Sequence, residues 1–578
     1  MNIEIGKFAG FCDGVKYAVE NTFSQAAKDD NEIYVDGHLI HNPQTLEMLD
    51  KSGVKTYEPD EDMSVLDGKT VIIRAHGISP ERKEKLSKHA KKLVNLTCKY
   101  VARIQSVVKK HSALGYRVIV IGNPVHPEIV GVCGYANEDV HVVYKEEDIL
   151  KLPEQSKKAI IVAQTTLQEK VFNNLVDKIK NKYQNEEIIV KNTICEATEQ
   201  RQTEILDIAK RNDVVLVIGG SESSNTKNLY KIASTIKPTH YVEFKEDLEK
   251  IDLSNYKNIG IMAGASTPDW VIEEIAQIIK DKYSSKISKF VANICDFFNY
   301  SYISFSIGVF LMSYSIFNIL SIPFNYKIGM IASFYYLFLS LGNGYSNHTI
   351  KVSDKKRYIF YEKNKILFTA LIVLSCVATI FLSYKINTNV LIINIIATLL
   401  GIIYNSSFNE NSAIKTSFFY KLFKKAIPLK SIIIPIAIIT IINTSIYYTN
   451  KSEVLESIPQ FIFSTVLMIT ILFIRQALIE IRFSQSDKIA GAKTLTLYIE
   501  ADKLLKITTI APIVLFIITI LLTITKVLQI NIKYSLLFLY ASITIIISMK
   551  RNIMVNRHIF SALVDSTLYV SFIISVLL

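Results

Sequence analysis

The stretch RVIVIGNPVHPEIVG, residues 117–131, joins a short β-branched run to a polar turn that contains His126 and Glu128. Short apolar runs of the same kind recur along the first half of the chain, at residues 71–74, 160–163, 214–218 and 259–262. Patterns with helical spacing lie between these runs. Strands that alternate with helices predict an α/β fold with parallel sheets.

Polar side chains follow these runs at the points where the predicted strands end. They are His76, His126, Glu128, Thr165, Thr166, Ser223, Ser224, Asn225 and Ser266. In open α/β sheets, ligands bind beyond the carboxyl ends of the strands. We therefore expect these residues to share one pocket.

Four cysteines lie far apart in this half of the chain: Cys12, Cys98, Cys133 and Cys195. The chain does not open on a basic segment followed by an apolar run, so no signal peptide is predicted. In a reducing compartment, a metal site is favoured over disulfides. Cys12, Cys98 and Cys195 are spaced by 86 and 97 residues, which suggests three similar α/β units that each contribute one cysteine.

These three thiolates would occupy three corners of a four-iron cluster and leave one iron free to hold a substrate oxygen as a Lewis acid. Two alternatives remain open on spacing alone. The cysteines are either buried structural residues or ligands of a tetrahedral zinc ion, although no two of them have the close spacing that zinc sites usually show.

Two loops carry further chemistry. His126-Pro127-Glu128 begins like the signature of zinc deaminases, but the sequence has no Pro-Cys-x-x-Cys downstream. Glu128 is therefore interpreted as a proton donor in a closed pocket, or else as a glutamate on a surface loop. Residues 219–226, GGSESSNT, precede a helical pattern, where free N–H groups suit a phosphate, although a plain N-capped turn has the same pattern.

Together these segments resemble the hydroxymethylbutenyl diphosphate reductase (LytB/IspH) family over about residues 3–278. The matching motifs are GFCDGV at 10–15, HNP at 41–43, RAHG at 74–77, NLTC at 95–98, HPE at 126–128, QTT at 164–166, NTIC at 192–195, SSN at 223–225 and GASTP at 264–268.

The resemblance implies a three-lobed, pseudo-threefold α/β fold around a central 4Fe–4S cluster held by Cys12, Cys98 and Cys195. It implies catalytic roles for His126, Thr165 and Glu128, with Glu128 supplying protons. The diphosphate-binding residues that it implies are His41, His76, His126, Ser223, Ser224, Asn225 and Ser266.

The reaction that the resemblance implies is reductive dehydroxylation of 4-hydroxy-3-methylbut-2-enyl diphosphate. The products would be isopentenyl and dimethylallyl diphosphate, the end of the non-mevalonate isoprenoid pathway. An electron donor such as ferredoxin or flavodoxin is the implied protein partner.

The composition changes in the middle of the chain. The whole sequence of 578 residues is 49% hydrophobic and has a net charge of +12, and long apolar stretches begin after residue 299. Many lysines lie between these stretches, so the positive charge indicates membrane topology rather than nucleic-acid binding. We predict a reductase domain at 1–282, a linker at 283–298 and an all-α polytopic membrane domain at 299–578.

About nine stretches are long enough to cross a bilayer with some tilt: 301–323, 327–343, 366–384, 389–404, 428–448, 458–479, 507–525, 531–549 and 559–577. If the N-terminus lies inside, most of the lysines and arginines between these stretches also lie inside. The positive-inside rule then predicts a multi-pass cell-membrane protein with a cytoplasmic N-terminal domain and with Leu578 outside.

An odd number of spans, with polar loops after the second and the sixth, is similar to the UbiA family of membrane prenyltransferases. The second polar motif of that family is partly present at Glu480 and Asp487, whereas the first is eroded around Asn343 and Asn347. The resemblance implies Mg²⁺ and a prenyl diphosphate at these four residues.

Two interpretations of this domain remain open. It is either a divergent transferase that acts on a lipophilic prenyl acceptor, or a non-catalytic domain that anchors the reductase or binds lipid. A third class for the whole chain is a zinc-bound sensor or binding module on a membrane anchor.

Overall fold

The computed structural model describes residues 1–26, 32–58, 60–154, 158–184, 187–346, 354–406, 421, 429–489, 494–550, 553–554 and 556–577. The chain divides into two compact units, unit 1 at Met1–Ser284 and unit 2 at Ser285–Leu578. Each unit is described by itself below.

Unit 1 alternates strands and helices. Its strands are β1 (Asn2–Ile5), β2 (Ile33–Asp36), β3 (Val54–Tyr57), β4 (Thr70–Ile73), β5 (Lys92–Asn95), β6 (Arg117–Ile121), β7 (Val140–Val143), β8 (Lys158–Ala163), β9 (Glu187–Lys191), β10 (Val214–Ile218), β11 (Thr239–Val242) and β12 (Asn258–Ala263). Its α-helices are α1 (Asp13–Ala26), α2 (Pro43–Lys51), α3 (Pro80–His89), α4 (Lys99–Ala113), α5 (Pro127–Cys133), α6 (Glu146–Leu150), α7 (Glu169–Lys182), α8 (Glu196–Arg211), α9 (Ser224–Ser234) and α10 (Asp269–Tyr283).

The strands form three four-stranded sheets with one common topology. Their orders are β3-β2-β4-β5, β7-β6-β8-β9 and β11-β10-β12-β1, and all neighbours are parallel. The third sheet takes its last strand from the N-terminus of the chain. The predicted α/β fold with parallel sheets is confirmed, and the sheets repeat as the cysteine spacing suggested.

The inner strands hold the core of each sheet. Every residue of β10 is buried, and β8 and β12 are buried apart from their first residues. Helices pack on these sheets, so strands such as β10 read as unbroken apolar runs rather than as alternating patterns. Each fully buried Val or Ile side chain contributes about 1.5–3 kcal/mol of transfer free energy.

Unit 2 is helical in its described part. Its α-helices are α11 (Lys286–Tyr300), α12 (Ile303–Ile319), α13 (Tyr326–Ser346), α14 (Lys355–Lys363), α15 (Lys365–Tyr384), α16 (Thr388–Ser406), α17 (Lys430–Thr449), α18 (Lys451–Glu456), α19 (Ile458–Ile489), α20 (Ala501–Ile524), α21 (Leu536–Ser548) and α22 (Arg557–Leu577).

Six helices in the described part of unit 2 are long and apolar enough to cross a membrane, and a seventh span results if α11 and α12, bent by 60° at their junction, count as one. Each of the nine predicted stretches contains a helix. The count falls below nine because α21 has only 13 residues, or about 20 Å at 1.5 Å per residue, and α13 carries polar residues at both ends. The exposed apolar side chains of α15, such as Ile366, Leu374 and Phe381, suit lipid contact.

The segment predicted as a linker, 283–298, is mostly helical. Helix α10 ends at Tyr283 and α11 begins at Lys286, after Ser285, whose Oγ accepts a hydrogen bond from Ser288 N. The apolar residues of the segment recur at helical spacing, as Ile287, Phe290, Val291 and Ile294 show.

Candidate active site

The three predicted cluster cysteines occupy equivalent positions in the three sheets. Each follows an edge strand (β1, β5 or β9) and directly precedes a helix (α1, α4 or α8). Each backbone N–H donates to a carbonyl just beyond the neighbouring strand. These bonds run from Cys12 to Ala265 at 3.1 Å, from Cys98 to Ala75 at 2.9 Å and from Cys195 to Thr165 at 3.0 Å. Because the three sheets share one topology, three cysteines that are distant in sequence line the same cavity.

Close packing holds the cysteine loops together. A Cβ at Gly14, two residues after Cys12, would lie 2.5 Å from Cys98 Sγ, so only glycine fits there. The Sγ atom of Cys195 lies 3.0 Å from Thr198 Oγ1. All three cysteines are free of disulfides.

Burial opposes a bare thiolate in this cavity, and it raises the pKa of Cys98 to about 11. Burial also raises the pKa of Cys195, although its hydrogen bond from Thr198 acts in the opposite direction. Both cysteines are the N-cap residues of their helices, where the helix dipole favours negative charge. A thiolate here is best stabilised by a bound cation such as a metal cluster.

Three histidines line the same cavity. The ring centroids of His41, His76 and His126 are 4.7 to 5.8 Å apart. Burial lowers the pKa of His41 and of His126 to about 4, and it lowers the pKa of His76 well below its usual value. Their nitrogens also lie close enough to share a metal ion, within 4.8 Å of one another.

The histidines leave buried donor or acceptor atoms unused. His41 Nε2 and His76 Nδ1 are buried without a hydrogen-bond partner in the described part of the chain. His126 Nδ1 accepts from Glu128 N at 3.2 Å, which leaves Nε2 of His126 as its protonated nitrogen when the ring is neutral. Buried polar atoms without partners are costly, so these atoms point to a ligand.

Glu128 lies at the start of α5 with only 2% of its surface exposed. Its carboxylate accepts two hydrogen bonds from Thr165, from the backbone N at 2.7 Å and from Oγ1 at 2.6 Å. Burial raises the pKa of Glu128 in spite of these bonds. The site therefore holds a carboxyl group that keeps its proton more readily than an exposed glutamate does.

The loop after β10 also lines the cavity, through Ser223, Ser224 and Asn225. Ser223 caps α9, and its Oγ accepts from Thr226 N, so Ser224 and Asn225 stand in the first turn of that helix. Both polar atoms of the Asn225 side chain are buried without a partner. Ser266 Oγ donates to His41 O at 3.1 Å and joins two sheets at this point. A helix start with free N–H groups is suited to an anion such as phosphate.

Every site residue predicted for unit 1 lines this cavity of about 260 Å³, namely Cys12, His41, His76, Cys98, His126, Glu128, Thr165, Cys195, Ser223, Ser224, Asn225 and Ser266.

The family model "LytB protein" matches residues 3–280. A 4-hydroxy-3-methylbut-2-enyl diphosphate reductase from Clostridioides difficile is 39% identical over 283 residues, which are 49% of this chain and 100% of that protein. A reductase of the same name from a Thermoanaerobacter species is 40% identical over 282 residues, 48% of this chain and 97% of that protein.

This chain belongs to the LytB family.

Solved structures were matched as well, among them the following two. A reductase from Plasmodium falciparum is 30% identical, with a TM-score of 0.45, over 48% of this chain and 88% of that one. A UbiA homolog from Aeropyrum pernix is 12% identical, with a TM-score of 0.34, over 46% of this chain and 96% of that one.

Arg201 is a site-adjacent residue of this LytB-family chain that the sequence analysis missed. It is 3% exposed, and its Nη2 donates to Gly10 O at 2.7 Å, which ties the Cys12 loop to α8. A signal was present, because Arg201 follows Cys195 and Thr198 at intervals of three along one helix face.

The residues predicted in unit 2 are not brought together in the same way. Asn343 and Asp487 line a second cavity, whereas Glu480 does not and Asn347 lies outside the described residues. The Glu480 carboxylate accepts from Ser431 Oγ and from Leu495 N at 2.9 Å. Its oxygens are therefore engaged within the protein.

Proposed function

We propose that unit 1 converts 4-hydroxy-3-methylbut-2-enyl diphosphate to isopentenyl and dimethylallyl diphosphate by reductive dehydroxylation. The observation that carries this proposal is the shared cavity that is lined both by three equivalent cysteines and by a set of anion-binding donors. Membership of the LytB family, whose curated relatives carry this reductase name, supports it.

The donor set fits an iron–sulfur cluster. Cys12, Cys98 and Cys195 would hold a 4Fe–4S cluster by three irons, because the cavity offers three thiols from three equivalent positions and burial makes uncompensated thiolates unfavourable. Such a cluster supplies electrons one at a time and a Lewis-acidic iron for the substrate hydroxyl.

The anion-binding donors of the cavity would hold the diphosphate. Ser223, Ser224 and Asn225 present the first turn of α9, and Ser266 and the histidines surround it. The unpartnered Nδ2 of Asn225 can donate to a phosphate oxygen, as can His41 Nε2 and His76 Nδ1 when those nitrogens carry a proton. Binding of the diphosphate would orient the reacting carbon and remove the entropy cost of that alignment from the chemical step.

Glu128 would supply the proton that lets the hydroxyl leave as water. Its raised pKa keeps the carboxyl protonated to higher pH, and Thr165 fixes its orientation through two hydrogen bonds. His126, whose Nδ1 accepts from Glu128 N, would present its Nε2–H as a hydrogen-bond donor in the cavity. In the balanced reaction two electrons and two protons enter, the C–O bond breaks, one C–H bond forms and water leaves. A ferredoxin or flavodoxin would deliver the electrons.

Unit 2 would be a polytopic membrane domain of nine spans that keeps unit 1 on the cytoplasmic side. The exposed apolar side chains of α15 and the six to seven candidate spans support a membrane location. The bonds of Glu480 to Ser431 and Leu495 weigh against magnesium-dependent transfer of a prenyl group and favour anchoring or lipid binding.

Substitution of the cysteines tests the reductase proposal. The full chain is purified without oxygen, and iron, acid-labile sulfide, zinc and reductase activity with a chemical electron donor are measured. Cys12→Ser, Cys98→Ser and Cys195→Ser should each lose iron and activity. Cys133→Ser is the matched control, since Cys133 packs against an apolar cluster and does not line the cavity.

Full iron content in all three cavity variants, or zinc in place of iron in the wild type, would overturn the proposal. Zinc would instead support a sensor or binding module.

A further inference from the structure

The second cavity, in unit 2, is lined by many charged side chains. It encloses about 160 Å³ and is bordered by five cationic and three acidic residues. The cationic residues are Arg357, Lys430, Arg475, Arg482 and Arg557, and the acidic residues are Asp354, Asp487 and Asp565. Ionisable groups are expensive in a unit built of membrane-type helices and generally mark a functional site.

Two of the three acidic residues are already bound to arginines. Asp565 accepts from Arg475 Nε at 2.8 Å, and Asp354 accepts from Arg557 Nη2. The side chains of Asp354 and Asp565 are 11% and 8% exposed, so water does little to weaken these pairs. These two carboxylates are therefore poorly placed to bind a metal ion.

Arg357 is only partly neutralised, because the neighbouring Asp354 carboxylate accepts from its backbone N at 3.1 Å but forms its ion pair with Arg557. Its Nε and Nη2 donate to Tyr361 Oη at 3.0 and 2.9 Å, and Nη2 also donates to Tyr302 Oη. Its guanidinium carbon lies 4.8 Å from the centre of the Tyr302 ring. Among the described residues, no carboxylate forms an ion pair with the Arg357 side chain. Phenol oxygens orient a guanidinium but leave its positive charge available to an anion.

Lys430 is a second cation, and its ion pair with a carboxylate is weak. Its Nζ lies 3.9 Å from Glu480 Oε1, which is a long ion pair, and the two oxygens of Glu480 already accept from Ser431 and Leu495. The lysine side chain is 16% exposed. With an excess of fixed cations, the cavity attracts an anion and repels a free divalent cation.

We propose that this cavity binds the phosphate or diphosphate group of a membrane lipid directly through Arg357 and Lys430, without a divalent metal ion. Guanidinium groups bind phosphate oxygens in a forked geometry, and a lysine adds a point charge. This site goes beyond the reductase reaction and does not depend on it. It also departs from the magnesium site predicted at Asn343, Asn347, Glu480 and Asp487.

Photolabelling of the full chain tests the site separately from unit 1. The probe is an isoprenyl diphosphate with a diazirine in its tail, and labelled peptides are mapped by mass spectrometry. Label in unit 2 should persist in EDTA. Arg357→Gln and Lys430→Gln should each reduce it about tenfold or more, because each variant removes a charge-assisted hydrogen bond to the phosphate. Label in the unit 1 cavity should not change, which provides an internal control.

Lys363→Gln is the matched control, because Lys363 is an exposed lysine at the end of the same helix as Arg357. Arg357→Lys, which keeps the charge, should retain part of the labelling and shows that the fold tolerates substitution there. Competition by inorganic pyrophosphate would assign the site to isoprenyl diphosphates, whereas competition only by phosphatidylglycerol vesicles would assign it to phospholipid headgroups.

Three results would overturn the proposal: no label in unit 2 while unit 1 is labelled, loss of unit 2 label in EDTA, or unchanged label in Lys430→Gln and Arg357→Gln. If Arg357→Gln does not fold, the labelling of Lys430→Gln and the labelling of the wild type in EDTA still test the proposal.

Discussion

At the scale of single residues, unit 1 combines groups whose protonation is set by burial. The Glu128 carboxyl and the three histidines share one enclosed cavity, and burial favours the neutral form of each. These neutral groups can receive a highly charged anion, because the arriving charge can be matched by proton uptake at the histidines.

Replacement of Glu128 tests its role as the proton donor. Glu128→Gln can still accept from Thr165 N through its amide oxygen and can donate from its amide N–H to Thr165 Oγ1, but it has no acidic proton to give, so we expect kcat to fall by about 10²–10⁴-fold with little change in diphosphate binding. Steady-state kinetics with a chemical electron donor measure this. The control is Glu138→Gln, an exposed glutamate of the same unit. A Glu128→Gln enzyme with wild-type kcat would assign the proton to another group.

Proton uptake on ligand binding tests the histidines. In the empty cavity His41 and His126 have a pKa of about 4 and are neutral at pH 6. A bound diphosphate raises these pKa values, so binding at pH 6 should take up protons. Calorimetry with inorganic pyrophosphate in buffers of different ionisation enthalpy measures the number of protons taken up on binding.

Pyrophosphate itself also takes up protons, and comparing the wild type with variants removes that contribution. His126→Asn should lower the number of protons taken up. The control His141→Asn should leave that number unchanged. Equal uptake in His126→Asn and in the wild type would show that His126 remains neutral in the complex.

At the scale of secondary-structure elements, the sequence analysis found inner strands and missed edge strands. The five apolar runs correspond to β4, β6, β8, β10 and β12, all of them inner strands. The edge strands β5 and β9 expose lysine, glutamate or asparagine and show no such run. The inner strand β2, IYVD, was also missed, because its run is short and ends in Asp36.

The candidate site was largely predictable for a related reason. Residues such as His76, His126 and Thr165 follow inner strands, and parallel strands deliver their ends to one edge of a sheet. The cysteines follow edge strands, so their convergence needed the threefold repeat, which periodicity alone does not reveal. In unit 2, the pairing of Asp565 with Arg475 joins residues 90 positions apart and leaves no local signal.

Helix α11 presents an apolar face that the described part of unit 2 leaves uncovered. Ile287, Phe290, Val291, Ile294 and Phe298 are each more than 40% exposed, and Asp296 and Tyr300 on the other face are buried. Such a helix, joined to the apolar α12, is expected to lie in the membrane interface. A photoreactive amino acid at position 290 should crosslink to lipid, whereas one at the exposed Asn293 should not. Lipid crosslinks of equal yield at both positions would contradict this placement.

At the scale of the whole molecule, the chain couples a LytB-family reductase unit to a helical unit of membrane character. The two are joined in sequence at residues 284 and 285, between α10 and α11.

Reporter fusions test the predicted topology. With nine spans and a cytoplasmic N-terminus, a fluorescent protein fused before Met1 should fluoresce, and a phosphatase that is active only outside the cytoplasm should be active after Leu578. The positive-inside distribution of lysine and arginine is the physical reason. Phosphatase fusions in an inner loop, after Lys550, serve as the control and should be inactive. An inactive fusion after Leu578 would indicate an even number of spans.

Mössbauer spectroscopy of the anaerobically purified full chain tests the central claim most directly, since it distinguishes the irons of a cluster by their ligands. Three thiols converging on one cavity predict a 4Fe–4S cluster with three alike irons and one distinct iron, whose signal shifts when the allylic diphosphate is added. Four equivalent irons, or an iron signal that the substrate leaves unchanged, would contradict it.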